Sequence, residues 1–482
     1  MSWAMRPRFG TPALVLLSAF VACVWLNQSV GGKDWEGLRD QVFAAPRQHI
    51  VELARYPFVF LYRRSLDERY YFEVASSILG EPADGEVIRH MHGAMPPGFR
   101  QDLPPADGRW HTPYVEVPLE YPPLNVPAIV LPRLLASTFK GYGFAFGGLM
   151  GLCLFFAIAT GIDIARRGES TAKAVDRRWL LATGLLLAQG ALAVQRLDPI
   201  ATLCLALGVR AAVRRRTFAM GVMTGLAGAA KVTPLLVLPV LVAADATVWR
   251  EPRKLARVAV GAALGLLVPF APVVALAPHA ALEMLRYHAA RGLNVESTFG
   301  VALGIGRRLF GHVEAAPASF GSQNFVGPVP DFLAAASGPV TLVAVAWLTW
   351  VVAKRASLSA PAPDAAASEP TADRARVQRI TVSALLAVLV IWLTGKVFSP
   401  QYLTWGIPLV LAIPGREGTR LAWGAIVAMG LTQLYFRGFY DLVVEQHTIA
   451  LLVLGVRQAV LVGLGAVAAR LATGPWPRPS LT

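Results

Sequence analysis

The chain alternates long apolar blocks with short polar breaks. Thr11–Asn27, Gly141–Ile162, Val258–Pro278 and Ile380–Thr394 each run for about 15 to 22 residues without a charge. A helix of about 20 apolar residues, rising about 1.5 Å per residue, crosses a hydrocarbon core of about 30 Å. One such block is compatible with a buried helix of a large soluble protein. Roughly a dozen of them predict an all-α polytopic membrane protein.

The polar breaks are of two kinds. Basic ones are Arg6–Arg8, Arg166–Arg178, Arg210–Arg216, Arg250–Arg257, Lys354–Arg379, Arg416–Arg420 and the tail from Arg470. An excess of Lys and Arg marks cytoplasmic loops. Between them lie stretches richer in Asp, Glu, His and Pro: Gly31–Tyr121, Gln195–Pro199, His279–Pro330, Lys396–Pro400 and Arg437–His447. The two sets alternate, with Tyr121–Ser137 as the exception. If that apolar stretch crossed, every later loop would invert. It is short and holds Pro122, Pro123, Pro127, Pro132 and Arg133. Prolines this dense open backbone hydrogen bonds that lipid cannot satisfy. A juxtamembrane or re-entrant helix on the outer face is therefore expected, with about 12 spans and both termini cytoplasmic.

Residues 1–482 then form a single integral membrane domain. Its first outer segment, 28–140, is expected to carry juxtamembrane helices: Val51–Arg63 in the interface, Asp67–Leu79 at mixed helical spacing, and an irregular Glu81–Pro118. A second outer loop, 279–330, begins helically. A flexible cytoplasmic linker, 355–377, surrounds the Ala/Pro/Ser-rich Ala356–Asp373. The basic Met1–Arg8 and the apolar block after it resemble a signal sequence. It reads as an uncleaved first helix, because no small-x-small site precedes Gly31.

Composition changes this picture little. Hydrophobic residues make up 55% and charged residues 16%, with a net charge of +15. That charge would suit nucleic acid, but it sits in short clusters between spans without interleaved aromatics. No nucleic-acid partner is expected. Cys23, Cys153 and Cys204 lie inside apolar blocks and offer neither a disulfide framework nor metal spacing. His90, His92 and His111 in a Pro-rich loop are a weak metal signal, so no metal or cofactor is expected. There is no Walker lysine loop and no glycine-rich strand–helix turn, which argues against an ATP-driven pump and a cytosolic nucleotide-sugar site.

The candidate chemistry lies in ionisable residues at the outer ends of spans, where they are costly unless used or partnered. Lys231, Arg291 and Lys396 are cations near helix ends. Snorkelling is their ordinary role, but a common face favours a site for an anion such as a lipid phosphate. Asp67 is the first candidate for a general base; capping, or an ion pair with Arg63, Arg64 or Arg69, is the structural alternative. Glu68 points about 100° away on a helix, which disfavours a second, nucleophilic carboxylate. Asp198-Pro199 opens a helix, where capping is the simplest role.

These motifs carry a resemblance. Asp67 with Tyr70 and Tyr71 resembles the acidic loop motif of GT-C type glycosyltransferases. Glu120-Tyr121-Pro122-Pro123-Leu124 resembles their juxtamembrane Tyr-Pro-Pro-Leu segment. Lys231-Val232-Thr233-Pro234-Leu235-Leu236, Arg291 with Glu296-Ser297, and Phe398-Ser399-Pro400-Gln401-Tyr402-Leu403 are similar to motifs of glycosyltransferase family 87. The resemblance runs from about Asp67 to Tyr402.

It implies a GT-C bundle, a polyprenyl-phosphate sugar donor with mannose as its sugar, and inversion at the sugar carbon. It further implies a glycan or glycolipid acceptor and an active site on the outer face of a bacterial cytoplasmic membrane. Asp67 would be the base, and Lys231, Arg291 and Lys396 would lie near the donor phosphate. Glu68, Tyr71, Tyr121, Asp198, His288, Glu296, Gln401 and Tyr402 would line the substrate site among membrane lipids. The competing reading is a transporter or flippase for a lipid-linked glycan. Transporters, however, tend to show repeated halves with midplane sites, and no internal repeat is visible.

Overall fold

Proline and glycine decide where the apolar blocks are cut in the computed structural model, which describes residues 10–30, 65–92, 102–169, 171–314, 316–358 and 369–474. The first elements are helices α1 (Thr11–Val30), α2 (Leu66–Ile78), α3 (Gly85–His92), α4 (Val126–Leu135), α5 (Phe139–Arg166), α6 (Ala172–Gln189), α7 (Asp198–Val213) and α8 (Thr217–Ala230). They are followed by α9 (Leu238–Ala243), α10 (Ala246–Trp249), α11 (Pro252–Leu276), α12 (Pro278–Ala290) and α13 (Thr298–Leu309). The last are α14 (Pro328–Leu358), α15 (Glu369–Thr394), α16 (Gly406–Ala412), α17 (Gly415–Gly438), α18 (Tyr440–Val444) and α19 (Thr448–Thr473).

Strands are minimal. β1 (Leu293–Asn294) and β2 (Ala318–Ser319) each pair antiparallel with β3 (Ser322–Phe325), with Leu293 opposite Phe325 and Ala318 opposite Gln323. The protein is thus an all-α membrane protein with a trace of sheet.

Among the described residues, six helices are long and apolar enough to cross a membrane: Thr11–Ser29, Phe139–Arg166, Pro252–Leu276, Pro328–Leu358, Arg374–Thr394 and Thr448–Thr473. The expected dozen is not confirmed on that criterion: α6 and α17, 18 and 24 residues long, fall outside the six, and other blocks are cut short. A 3-10 turn at Thr233–Val237, with Pro234 at its start, separates α8 from α9. Another, at Pro400–Trp405, precedes the seven-residue α16. Proline removes the donor an α-helix needs and fixes φ, so these breaks follow from sequence.

The Tyr121–Ser137 stretch forms a 3-10 turn and the ten-residue α4. The Glu81–Pro118 segment, expected to be irregular, includes helix α3. The interfacial Val51–Arg63 lies outside the described residues. So does 359–368 of the linker, into which α14 and α15 run from either side.

Close backbone packing sets the frame. Helices α8 and α11 meet through glycines. A Cβ on Gly221 would stand 2.2 Å from the Val258 carbonyl oxygen, and one on Gly265 2.2 Å from that of Val222. Small residues let helices approach this closely without competing lipid contact. The pair fixes the C-terminal end of α8, where Lys231 begins.

One end of the bundle is tied by arginine. Arg376 Nη1 and Nη2 donate to the Val213 and Ala212 carbonyls (2.7 and 2.8 Å), and its Nε donates to Asp245 at 2.9 Å. Asp163 takes Arg210 and Arg214, each at 2.8 Å. Arg178 holds Glu169 and the Leu411 carbonyl. Free carbonyls at the last turn of a helix need such donors. Helix α7 ends at this basic end. About 24 Å away, at about 1.5 Å per residue, its first residue, Asp198, enters a cavity.

Candidate active site

The cavity has a volume of about 1260 Å³ at the end opposite the arginine ties. Ten sequence-predicted residues line it: Asp67, Tyr121, Asp198, Lys231, His288, Arg291, Glu296, Lys396, Gln401 and Tyr402. Glu68 and Tyr71 do not.

Helix α2 explains both results. Ser65 is its N-cap, its Oγ accepting from the Asp67 amide at 3.2 Å and donating to Asp67 Oδ2 at 3.1 Å. This satisfies a free amide of the first turn and holds the Asp67 carboxylate toward the cavity, where it pairs with Arg196. The partners expected for Asp67 differ. Arg69 binds Glu73 at 2.5 Å, while Arg63 and Arg64 lie outside the described residues. One residue on, Glu68 is turned to α1 and accepts from Gln28 at 2.6 Å and Asn27 at 3.4 Å. It ties α2 to α1 and does not line the cavity. Tyr71 stands behind the wall, its hydroxyl 3.2 Å from that of Tyr121.

The Tyr-Pro-Pro-Leu segment is fixed from both sides. Tyr70 donates to Glu120 at 2.5 Å, and Tyr114 donates to the Tyr121 carbonyl at 2.6 Å. Asn125 donates to the Ala230 carbonyl at 2.7 Å, joining this segment to the residue before Lys231. Lys231 leaves α8 in extended conformation and reaches Asp198 Oδ1 at 2.8 Å. The same oxygen accepts from Trp405 at 2.8 Å. The ammonium lies 4.1 Å from the centre of the Tyr402 ring, a favourable seat for a cation. Asp198 is therefore not a cap. Leu197 holds the N-cap position, and the buried carboxylate neutralises Lys231.

Arg291 and Lys396 are placed differently. Arg291 Nη2 donates to Ser322 at 3.0 Å, while its buried Nε has no partner. Lys396 donates to the Ala289 carbonyl at 2.6 Å. Neither forms an ion pair with a carboxylate among the described residues. Burial, and then the charge of Arg291, lower the Lys396 pKa. His288 is pushed down to about 4 by burial and then by Arg291, which leaves it neutral near pH 7.

Across β1, Glu296 is buried. Its Oε1 accepts from Tyr435 at 2.6 Å, and its backbone carbonyl accepts from Arg457 at 2.6 Å. Burial pushes its carboxyl up to about 7, against the pull of the Tyr435 hydrogen bond.

Several lining residues were missed in sequence. The β2–β3 turn brings Phe320 and Gly321 to the cavity, both with positive φ (52° and 65°). Tyr440 and Asp441 come from the α17–α18 corner. Single loop residues of ordinary type carry no pattern, and only the Phe320-Gly321 turn had a weak signal in its glycine.

Helices long and apolar enough to cross a membrane, with a large cavity lined by charged and apolar residues away from the basic end, define the class: an integral membrane protein with a candidate site at one end of its bundle. The sequence model of glycosyltransferase family 87 matches residues 119–369, just over half of the chain, and the chain belongs to that family. It is a glycosyltransferase of GT-C type. The match includes Glu120, Asp198, Lys231, Arg291 and Glu296; Asp67 and the Lys396–Tyr402 segment lie outside it. No curated protein matches the sequence.

Proposed function

We propose that the protein transfers a sugar, mannose as first choice, from a polyprenyl-phosphate donor to a glycan or glycolipid acceptor on the outer face of a bacterial cytoplasmic membrane. The observation that carries this reading is the pair Arg291 and Lys396: two neighbouring cations, unmatched by carboxylates among the described residues, in one cavity. Such a pair suits a phosphate, with Arg offering forked donors and Lys a compact charge. Lys231, already balanced by Asp198, serves to shape the site. A largely apolar strip lines the same cavity: Ala334, Ala335, Gly338 and Leu342 of α14 with Ile391 and Trp392 of α15, while the Ser337 and Thr341 hydroxyls between them donate to carbonyls of their own helix. A polyprenyl tail fits such a strip.

The reaction is a single displacement. The acceptor hydroxyl attacks the sugar's anomeric carbon, the bond from that carbon to the phosphate oxygen breaks, and the hydroxyl proton passes to Asp67. The released polyprenyl phosphate keeps the bonding electrons and is stabilised by Arg291 and Lys396. One displacement inverts the anomeric centre. Asp67 is held for this by Ser65 and Arg196, and the acceptor hydroxyl must share it with Arg196.

The test is transfer of label from radiolabelled polyprenyl-phosphate-mannose, wild type against Asp67→Asn. The expected loss is about 10²- to 10⁴-fold, the usual contribution of a positioned base, with unchanged folding. Near-normal turnover in the variant would sink the base assignment. Movement of the lipid without any new glycosidic bond would favour transport.

A further inference from the structure

The cavity has a second wall with chemistry unlike that of the cations. Phe436, Arg437, Tyr440 and Asp441 line it from the α17–α18 corner, beyond the segment matched by the family. Asp441 is exposed, and its carboxylate enters no ion pair among the described residues. Beside it, the Tyr440 hydroxyl lies 3.5 Å from Glu296 Oε2, and its ring meets Phe436 edge-on at 5.3 Å.

The corner is also tied to the base. Arg437 donates to Gln195, and Gln195 donates to Asn27. Asn27 in turn reaches Glu68, the residue after Asp67. The corner that carries Asp441 is thus linked, through Arg437, to the helix that carries Asp67.

A carboxylate is an acceptor-only group with two oxygens, suited to the hydroxyl donors of a polyol. Aromatic rings beside it offer apolar surface with defined orientation. An exposed carboxylate repels an anionic ligand, and Arg437 in the same wall is turned away to Gln195. These features select one ligand class. We propose that the α17–α18 corner is the acceptor subsite and takes a neutral sugar, whose hydroxyls donate to Asp441 while Tyr440 and Phe436 form its aromatic edge. The assignment as acceptor subsite rests on the transferase reading above. It separates the molecule into a cationic wall for the donor and an acidic, aromatic wall for the acceptor.

The experiment measures binding of two probes to the full-length protein in lipid nanodiscs. Octyl α-D-mannopyranoside represents a neutral acceptor, and decaprenyl phosphate represents the donor side. Asp441→Ala should weaken mannoside binding about tenfold or more, as expected for lost hydrogen bonds to a charged group, and leave decaprenyl phosphate binding unchanged. Asp441→Asn should fall between, since its amide keeps one acceptor oxygen.

Unchanged mannoside binding in Asp441→Ala overturns the proposal, as does a wild type that binds no mannoside. Equal loss of both probes overturns the assignment of a separate subsite. If wild type binds the mannoside in an Asp441-dependent way but not decaprenyl phosphate, the neutral-sugar site stands and the donor reading falls.

Discussion

The two ends of the helix bundle use the same residue types in opposite ways. At the basic end, Arg376, Arg210, Arg214 and Arg178 each meet a carboxylate, and two of them also meet carbonyls at or near helix termini. At the cavity end, Arg196 and Lys231 are paired, but among the described residues Arg291 and Lys396 are held only by a hydroxyl and a carbonyl. Taking a charge out of water without a counter-charge is costly. Arg291 and Lys396 are half-buried, as is Arg379 at the basic end, which donates to the Ala244 carbonyl at 2.7 Å; of the three, Arg291 and Lys396 line the cavity and are placed to meet an anion.

The contrast predicts its largest effect at the basic end. Arg376 and Asp245 are both nearly buried, at 7% and 6% side-chain exposure. Breaking such a pair from one side costs about 3–5 kcal/mol. Arg376→Ala should therefore lower the melting temperature strongly in detergent. If enough folded protein remains for kinetics, its donor KM should be unchanged. A variant that melts like wild type but binds donor poorly would reverse the roles of the two ends.

A smaller effect is expected at Glu296, which stands between these extremes as a buried acid met by tyrosines. Its folded pKa of about 7 lies above the ordinary carboxylate value. The folded state therefore holds a proton that the unfolded state releases. The resulting stability is fully present below the unfolded pKa of about 4.3 and is lost as pH rises through about 7. The span of the shift corresponds to a difference on the order of 3 kcal/mol. Melting temperatures should fall between pH 5 and pH 8 in wild type, and this slope should flatten in Glu296→Gln. An unaltered slope in that variant would assign the pH dependence to other groups.

The sequence reveals the helical class and the asymmetry of charge because membranes penalise both errors heavily. Lys231 and Lys396 stand out where they interrupt apolar runs. Contacts across the bundle are a different matter. Nothing local joins Asp67 to Arg196 in place of Arg63, Arg64 or Arg69, and nothing local turns Asp198 from a cap into the counter-ion of Lys231. Glu68 shows how far helical phase alone reaches: a turn of about 100° separates it from Asp67, but only α1 explains where it went. The 318–325 hairpin was illegible because strands of two and four residues are too short to show an alternating pattern, and β3 also pairs with β1 about 30 residues earlier. The span count is not confirmed for a related reason. Prolines divide blocks into pieces that neighbouring helices cover.

The last and smallest effect is also the most specific. Arg291→Gln removes a cation that pairs with no carboxylate among the described residues, so the folded protein should lose little; relief of repulsion on Lys396 offsets the lost bond to Ser322. The donor-bound state has no such compensation. A hydrogen bond from a charged group is worth about 1.5–3 kcal/mol, which corresponds to a roughly 10- to 150-fold rise in donor KM. Acceptor KM and melting temperature should hardly move. Lys396→Gln should act alike, and the Lys396 ammonium, with its neighbour gone in Arg291→Gln, should titrate at higher pH. Lys231→Gln is the contrasting case, since it strands the Asp198 carboxylate and should lower the melting temperature as well as activity. Equal loss of stability in all three variants would mean that these cations are structural, and that the two ends of the bundle differ in appearance only.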